Sequence, residues 1–259
     1  MNKPQKKMPR GGGFAERFAK VNGVRLRYLV GGQGSPVVLL HGFAETSHMW
    51  RPIMPLLAER HTLVVPDLRG AGGSAKPPSG YDKTNMAVDI HELTTTLNLE
   101  RVRIVGHDIG LMVAYAYAAQ FPEGTERVVL MDGEVVPEVF EVNAFATLHQ
   151  RQRDLSVEME VPQVRLYARA YAQPGAMRAG FEYFRNFERD AEDFARLAGT
   201  RLSMPMLVLS GEKAGGTFLI EQAKLVASDV RGQVIKGSGH WLIEEAPTTV
   251  IPVISDFVA

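Results

Sequence analysis

Gly106-His107-Asp108-Ile109-Gly110 sets an aspartate between two glycine-bounded flanks. It stands directly after the apolar run Val102–Gly106 and directly before the helical pattern Leu111–Phe121. A strand, a tight turn and a helix in that order lift the central side chain clear of the backbone, in the geometry of a nucleophile elbow with aspartate in place of serine. The glycines suit the turn because so sharp a reversal leaves no room for Cβ atoms. The helix that follows directs its first N–H groups at negative charge developing beside Asp108. The plainer alternative is that Asp108 caps that helix, a position aspartate fills readily. A carboxylate nucleophile is suited to saturated carbon: it displaces a leaving group, becomes an ester, and water then attacks its own carboxyl carbon. Serine attacking the same carbon would be left as an ether that water does not readily cleave.

Gly237-Ser238-Gly239-His240-Trp241 follows the last strand-like run, and Asp132 directly follows the run Arg127–Met131. Aspartate, acid and histidine then fall in the chain order Asp108, Asp132, His240, each at the end of a strand.

The elements that must hold these residues alternate. A hairpin is expected from Phe14–Val21 and Val24–Val30 around Asn22-Gly23, a strong turn dipeptide. Pro36–Leu40, Thr62–Pro66, Val102–Gly106, Arg127–Met131, Met206–Ser210 and Gly232–Ile235 are compact apolar runs, as strands covered on both faces should be. Helical periods lie between them at Trp50–Glu59, Met86–Leu99, Leu111–Phe121 and Thr217–Asp229. The pattern implies an α/β fold with a mostly parallel central sheet flanked by helices. Between Asp132 and Pro205 no strand-like run occurs, which reads as a helical insertion. The expected organisation is a flexible tail over 1–13, a core of 14–134 and 203–259, and a reduced helical cap over 135–202. Glu244 and Glu245 read as the start of the final helix.

With these motifs in hand, the chain resembles the α/β-hydrolase superfamily, in its epoxide hydrolase and haloalkane/haloacetate dehalogenase branch. The resemblance rests on His41-Gly42-Phe43, Asp67-Leu68-Arg69-Gly70-Ala71-Gly72-Gly73-Ser74, Gly106–Gly110 and Gly237–Trp241, with Tyr167–Pro174 and Phe181–Arg185 resembling the cap of Cif-like epoxide hydrolases. It implies that Asp108 attacks, that His240 activates water, and that Asp132 orients and stabilises the imidazole. The backbone N–H groups of Phe43 and Ile109 are the candidate oxyanion donors. Many relatives carry the acid one strand later, where this chain has Ala214. Asp132 matches the earlier placement, with Glu134 and Glu212 as fallbacks.

The leaving-group side points to an epoxide. Where haloalkane dehalogenases carry a tryptophan after the nucleophile and often an asparagine after His-Gly, this chain has Ile109 and Phe43. Met112 and Ile109 also stand where fluoroacetate dehalogenases place arginines. An epoxide needs acidic donors from the cap, and Phe184 occupies the position where the family usually has tyrosine. Tyr171, Tyr167 and His149 are the substitutes; Tyr183 should face elsewhere, because neighbouring helical positions point about 100° apart. His41, His107 and Trp241 complete the candidate pocket, the two histidines as buried hydrogen-bonding groups. The expected activity is hydrolysis of a small apolar epoxide. The alternatives are a dehalogenase using the same aspartate, or a non-catalytic ligand-binding homologue with an impaired cap.

Composition excludes other classes. The 259 residues carry 29 Lys plus Arg against 29 Asp plus Glu, so nothing electrostatic calls for nucleic acid or an anionic membrane. Zero cysteines exclude disulfides, thiolate metal sites and a cysteine nucleophile together. No two histidines share a helix at ligand spacing, so no metal is expected, nor any cofactor. The basic stretch 1–13 leads into no apolar segment of a secretory signal, and no apolar run reaches the roughly 20 residues of a membrane helix. A cytoplasmic protein acting on a small molecule and water is expected, with a homodimer among the open assembly states.

Overall fold

The computed structural model describes residues 13–133 and 161–259. The expected tail, apart from its last residue, and the positions of Glu134 and His149 lie outside these residues. Eight strands form one sheet: β1 (Ala15–Val21), β2 (Val24–Gly32), β3 (Ser35–Leu40), β4 (His61–Pro66), β5 (Val102–His107), β6 (Thr125–Met131), β7 (Met206–Gly211) and β8 (Val230–Ile235), in the spatial order β1-β2-β4-β3-β5-β6-β7-β8. β1 pairs with β2, and β2 with β4, antiparallel; β4 through β8 are parallel. Adjacent parallel strands present all their C-terminal ends at one edge, where α/β proteins build their sites.

The inner strands read as continuous apolar runs because both faces are covered. Val38, Leu40, Ile104, Val128 and Val208 pack on the side of α2 (Lys83–Thr96) and α3 (Ile109–Gln120). Their sequence neighbours Val37, Leu39, Val105, Val129 and Leu207 pack against Trp50 and the last helices, α8 (Leu242–Glu245) and α9 (Pro247–Val258). Between β6 and β7 come α4 (Val161–Tyr171), α5 (Ala176–Arg185) and α6 (Phe187–Leu197), and α7 (Phe218–Val226) lies between β7 and β8.

The helix expected over Trp50–Glu59 is instead a 3-10 turn, Ser47–Trp50, followed by the four-residue α1 (Met54–Leu57). Pro52 and Pro55 lack the N–H groups a continuous helix needs and restrict the residues before them. α2 starts three residues before the expected Met86 because Asp82 caps it, accepting from Asn85 N–H at 3.0 Å. It stops short of Leu99 as the chain turns left-handed at Asn98, φ +53°. Among the described residues, no helix is long and apolar enough to cross a membrane.

Candidate active site

β5 delivers its last residue, His107, to the sheet edge, and the chain turns into α3 at Asp108, whose φ is +51° and ψ −119°. A non-glycine side chain in that region is strained, and such strain persists only where the surroundings over-determine it. The flanking glycines are part of that constraint. A Cβ on Gly106 would stand 2.1 Å from the Gly110 carbonyl oxygen, and one on Gly110 would stand 2.4 Å from that of Leu40. Asp108 makes no side-chain bond to its own helix, so it is not serving as an N-cap. Its Oδ2 accepts the backbone N–H of Phe43 at 2.7 Å, across from the end of β3. Ile109 opens α3, and its N–H therefore has no acceptor within the helix.

Asp132 follows β6 directly, with φ +41°. Its Oδ1 is fixed by the Ser210 hydroxyl at 2.9 Å and the Gly215 N–H at 3.2 Å, and its Oδ2 lies 3.4 Å from Nδ1 of His240. His240 is buried, and its Nε2 has no partner among the described residues. Glu212 points elsewhere, accepting the Gly237 N–H at 2.9 Å. Glu245 brackets His240 instead of merely starting a helix: its carboxylate takes the N–H groups of Gly239 and, at 2.9 Å, of Trp241. Trp241 packs edge-on against His240, ring centres 5.0 Å apart.

Behind these groups lies a buried polar cluster. His107 donates through Nε2 to the His240 carbonyl at 2.8 Å and through Nδ1 to Glu45 at 3.0 Å, and the same carboxylate oxygen accepts the Gly42 N–H at 2.8 Å. Burial alone would lower the His107 pKa, but the Glu45 charge and hydrogen bond outweigh it and raise it to about 10. Glu45, whose burial works the other way, is held below its ordinary value by His107. His41 stays neutral: burial lowers its pKa, Nδ1 meets the Gly42 carbonyl at 2.8 Å, and Nε2 accepts the Leu68 N–H at 3.0 Å. Glu244 is pushed up to about 8, by burial first and by the Glu45 charge second.

The tyrosines separate by their bonds. The Tyr171 oxygen accepts the Ala44 N–H at 3.0 Å, which leaves its own proton without an acceptor among the described residues, and its ring meets Phe43 edge-on at 5.5 Å. Burial first, and nearby carboxylates including Asp108, keep Tyr171 protonated far into the alkaline range. Tyr167 donates to Glu244 at 3.4 Å and Tyr183 to the Arg69 carbonyl, so both hydroxyl protons are engaged. Tyr183 also meets the Tyr81 ring edge-on, centres 5.5 Å apart. Phe184 packs on Phe43, ring centres 4.8 Å apart.

Sequence reasoning passed over Glu45, Ser210 and Gly215. Glu45, two residues beyond Phe43 and fully buried, had a signal in its position within His41–Glu45. The other two had none, since their role depends on where β7 places its end. Among the described residues no three His, Asp or Glu side chains gather as a metal-holding group.

The model of the alpha/beta hydrolase fold family matches residues 35–173, and the chain belongs to that family, in its epoxide hydrolase branch. It is 30% identical over 276 aligned positions to a soluble epoxide hydrolase of Corynebacterium sp. (strain C12), spanning 93% of this chain and 96% of the relative. A fluoroacetate dehalogenase of Burkholderia sp is 41% identical over 125 positions, 46% of this chain and 41% of that one. Among solved structures, the ligand-free epoxide hydrolase CorEH superposes with a TM-score of 0.84 at 27% identity, covering 95% of this chain and 98% of the other. The protein is a hydrolase of this family.

Proposed function

We propose that the chain hydrolyses a small apolar epoxide through a covalent ester on Asp108. The observation that carries the reading is the state of two side chains. The Asp108 carboxylate is held by Phe43 N–H and not by its own helix, while His240 Nε2 is buried with no partner among the described residues, on the loop whose carbonyl His107, the neighbour of Asp108, holds. In the first step an Asp108 oxygen attacks an epoxide carbon, the carbon–oxygen bond of the ring breaks, and the departing oxygen takes the Tyr171 proton. In the second, His240 Nε2 takes a proton from water, and the hydroxide attacks the Asp108 carboxyl carbon. The N–H groups of Phe43 and Ile109 hold the resulting oxyanion. Collapse releases the diol, whose alkoxide takes the proton from His240; Asp108 is left as the acid and gives up its proton, and the Tyr171 phenolate takes one back, which restores both groups. Asp132 holds the imidazole in its working tautomer throughout.

Phe43, Phe184 and Tyr171 supply aromatic walls, which favours an apolar substrate. The helices α4 to α6 are read as the cap. Neither Phe43 nor Ile109 offers a side-chain N–H to a halide, which favours the epoxide over the dehalogenase reading.

Two measurements test the mechanism. His240→Gln incubated with an epoxide panel should gain the mass of one substrate, and the ester should map to the peptide holding Asp108. A single turnover of the unsubstituted enzyme in oxygen-18 water should place the label in Asp108 and not in the diol, because the new oxygen enters the enzyme's carboxyl group. Adducts formed only with haloalkanes or haloacids would replace the epoxide reading with the dehalogenase one. Full turnover by Asp108→Ala would end both.

A further inference from the structure

A cavity of about 710 Å³ lies between Arg27, Thr46, Asp67, Gly72 and Gly73 and the α4 residues Arg165, Leu166, Arg169 and Ala170, with Gln173 just beyond that helix. Asp108, His240 and Phe43 take no part in it. Its charges are unbalanced. The one carboxylate, Asp67, is already satisfied: Oδ1 accepts the Ser47 N–H at 2.9 Å, and Oδ2 accepts the Gly73 N–H at 2.9 Å and Arg27 at 3.3 Å. Arg27 is likewise committed, to Glu16 at 2.7 Å, to Ser47 at 2.7 Å and to Asp67. Arg165 and Arg169 remain. They stand four residues apart on α4, hence on one face, and neither meets an acid or a hydrogen-bond acceptor among the described residues.

A guanidinium is a planar fork suited to carboxylate and phosphate oxygens, and the two exposed ones on α4 face a carboxylate, Asp67, that is already bound elsewhere, which favours an anion between them. The volume lies within the roughly 300–1,000 Å³ range of small-molecule pockets, far more than a bare ion needs. Leu166 and Ala170 are interleaved with the arginines, giving an apolar strip, and Thr46 and Gln173 add neutral hydrogen-bonding groups. We propose that this cavity binds a small organic anion, a carboxylate or phosphate on a short apolar body, gripped by Arg165 and Arg169. The site is separate from the elbow, and its existence does not depend on the chemistry there. It is mechanically close to it, because the opposite face of α4 carries Tyr167 and Tyr171 into the buried cluster.

The test uses the full chain carrying Asp108→Asn, so that no turnover consumes a probe. Hexyl phosphate, hexanoate, 1-hexanol and inorganic phosphate are titrated separately by calorimetry. The expected result is saturable one-to-one binding of hexyl phosphate or hexanoate, weakened at least about tenfold by Arg165→Gln with Arg169→Gln. The tighter of the two probes distinguishes phosphate from carboxylate. Ala170→Trp, which fills the cavity and removes no charge, should abolish the same binding while circular dichroism stays unchanged. Absence of saturable binding by either anion, or affinities indifferent to all three substitutions, would overturn the proposal. So would 1-hexanol or inorganic phosphate binding as tightly as hexyl phosphate, the second result meaning an adventitious ion only.

Discussion

The residue before the candidate nucleophile holds the backbone of the candidate base: His107 Nε2 donates to the His240 carbonyl at 2.8 Å, across 133 positions of sequence. Because its Nδ1 donates to Glu45 as well, both ring nitrogens carry protons and the group is an imidazolium, with its pKa raised to about 10. The Asp108 elbow and the His240 loop are therefore tied together by a charged pair, Glu45 and His107.

A histidine whose pKa rises from 6.5 to about 10 on folding contributes stability that is complete below pH 6.5 and fades as pH climbs towards 10. Glu244, raised from 4.5 to about 8, also subtracts stability with rising pH, but its share is spent by pH 8. Lys76 and Lys83, whose pKa values burial lowers from 10.5, act in the opposite direction over pH 8 to 10, so the share of His107 is read as the difference between the unsubstituted protein and Glu45→Gln. Melting temperature should fall by several degrees across that window, at about 2–4 °C per kcal/mol lost. Glu45→Gln, which takes away the charge that raises the histidine, should flatten the fall. An unchanged slope in Glu45→Gln would show that the pair carries no such linkage.

Asp132→Asn presents an NH₂ group to His240 wherever its remaining oxygen keeps the bonds from Ser210 and Gly215. Facing that donor, Nδ1 becomes the acceptor and Nε2 carries the hydrogen, so the imidazole has no lone pair for water's proton. Ester formation should proceed and ester hydrolysis should fall by roughly 10⁴. Rapid-quench mass spectrometry would show the adduct accumulating to one per enzyme. Ser210→Ala, which frees one of the two bonds on Oδ1, should slow the same step by about tenfold and leave the first step intact.

The elbow, its strand and its helix were legible because the signals are local: an apolar run, two glycines at fixed spacing, and a helical pattern within twenty residues. The assignment of Asp108, Asp132 and His240 as a set came from the chain order of the α/β-hydrolase arrangement and from the resemblance to that family, not from the local pattern alone. What sequence hides is which hydroxyl is free. Tyr167, Tyr171 and Tyr183 are equivalent in type, and their protons are distinguished only by Glu244, Ala44 and Arg69, which come from three distant segments. Glu45 had a local signal in its place just after His41-Gly42-Phe43, but its role depends on His107, 62 residues away. The expected helix at Trp50 failed on a local signal, the two prolines, that apolar periodicity outweighed.

Tyr171→Phe removes the uncommitted proton and leaves the ring against Phe43 in place. Ring opening should slow by roughly 10²-fold, the lower end of general-acid contributions, while hydrolysis of the preformed ester continues at its normal rate. Single-turnover kinetics with an epoxide separates the two steps. Tyr183→Phe is the control. Its hydroxyl is spent on the Arg69 carbonyl, so it should lower stability by about 1 kcal/mol and leave ring opening unchanged. Equal kinetic losses in both variants would remove Tyr171 as the donor.

Lys83 joins α2 to α6 in the interior. Its Nζ lies 2.6 Å from Asp190 and 2.6 Å from the Tyr183 carbonyl, both Lys83 and Asp190 are fully buried, and Phe187 stacks on the ammonium at 4.6 Å. Removing one partner of a buried pair leaves the other charge unpaired, which costs about 3–5 kcal/mol, whereas replacing both with apolar groups of similar volume is often close to neutral. Lys83→Met and Asp190→Leu should each be strongly destabilised in urea, and the double variant should recover most of the loss. The pair also fixes α5 and α6 over the elbow, because the Tyr183 carbonyl that Lys83 binds lies on the helix whose Gly180 packs against Phe43 and Tyr171. The double variant should therefore fold well and still show a raised KM, the apolar contact lacking the directional bond that sets where α5 lies. Recovery of stability with an unaltered KM would mean that the pair contributes to folding alone.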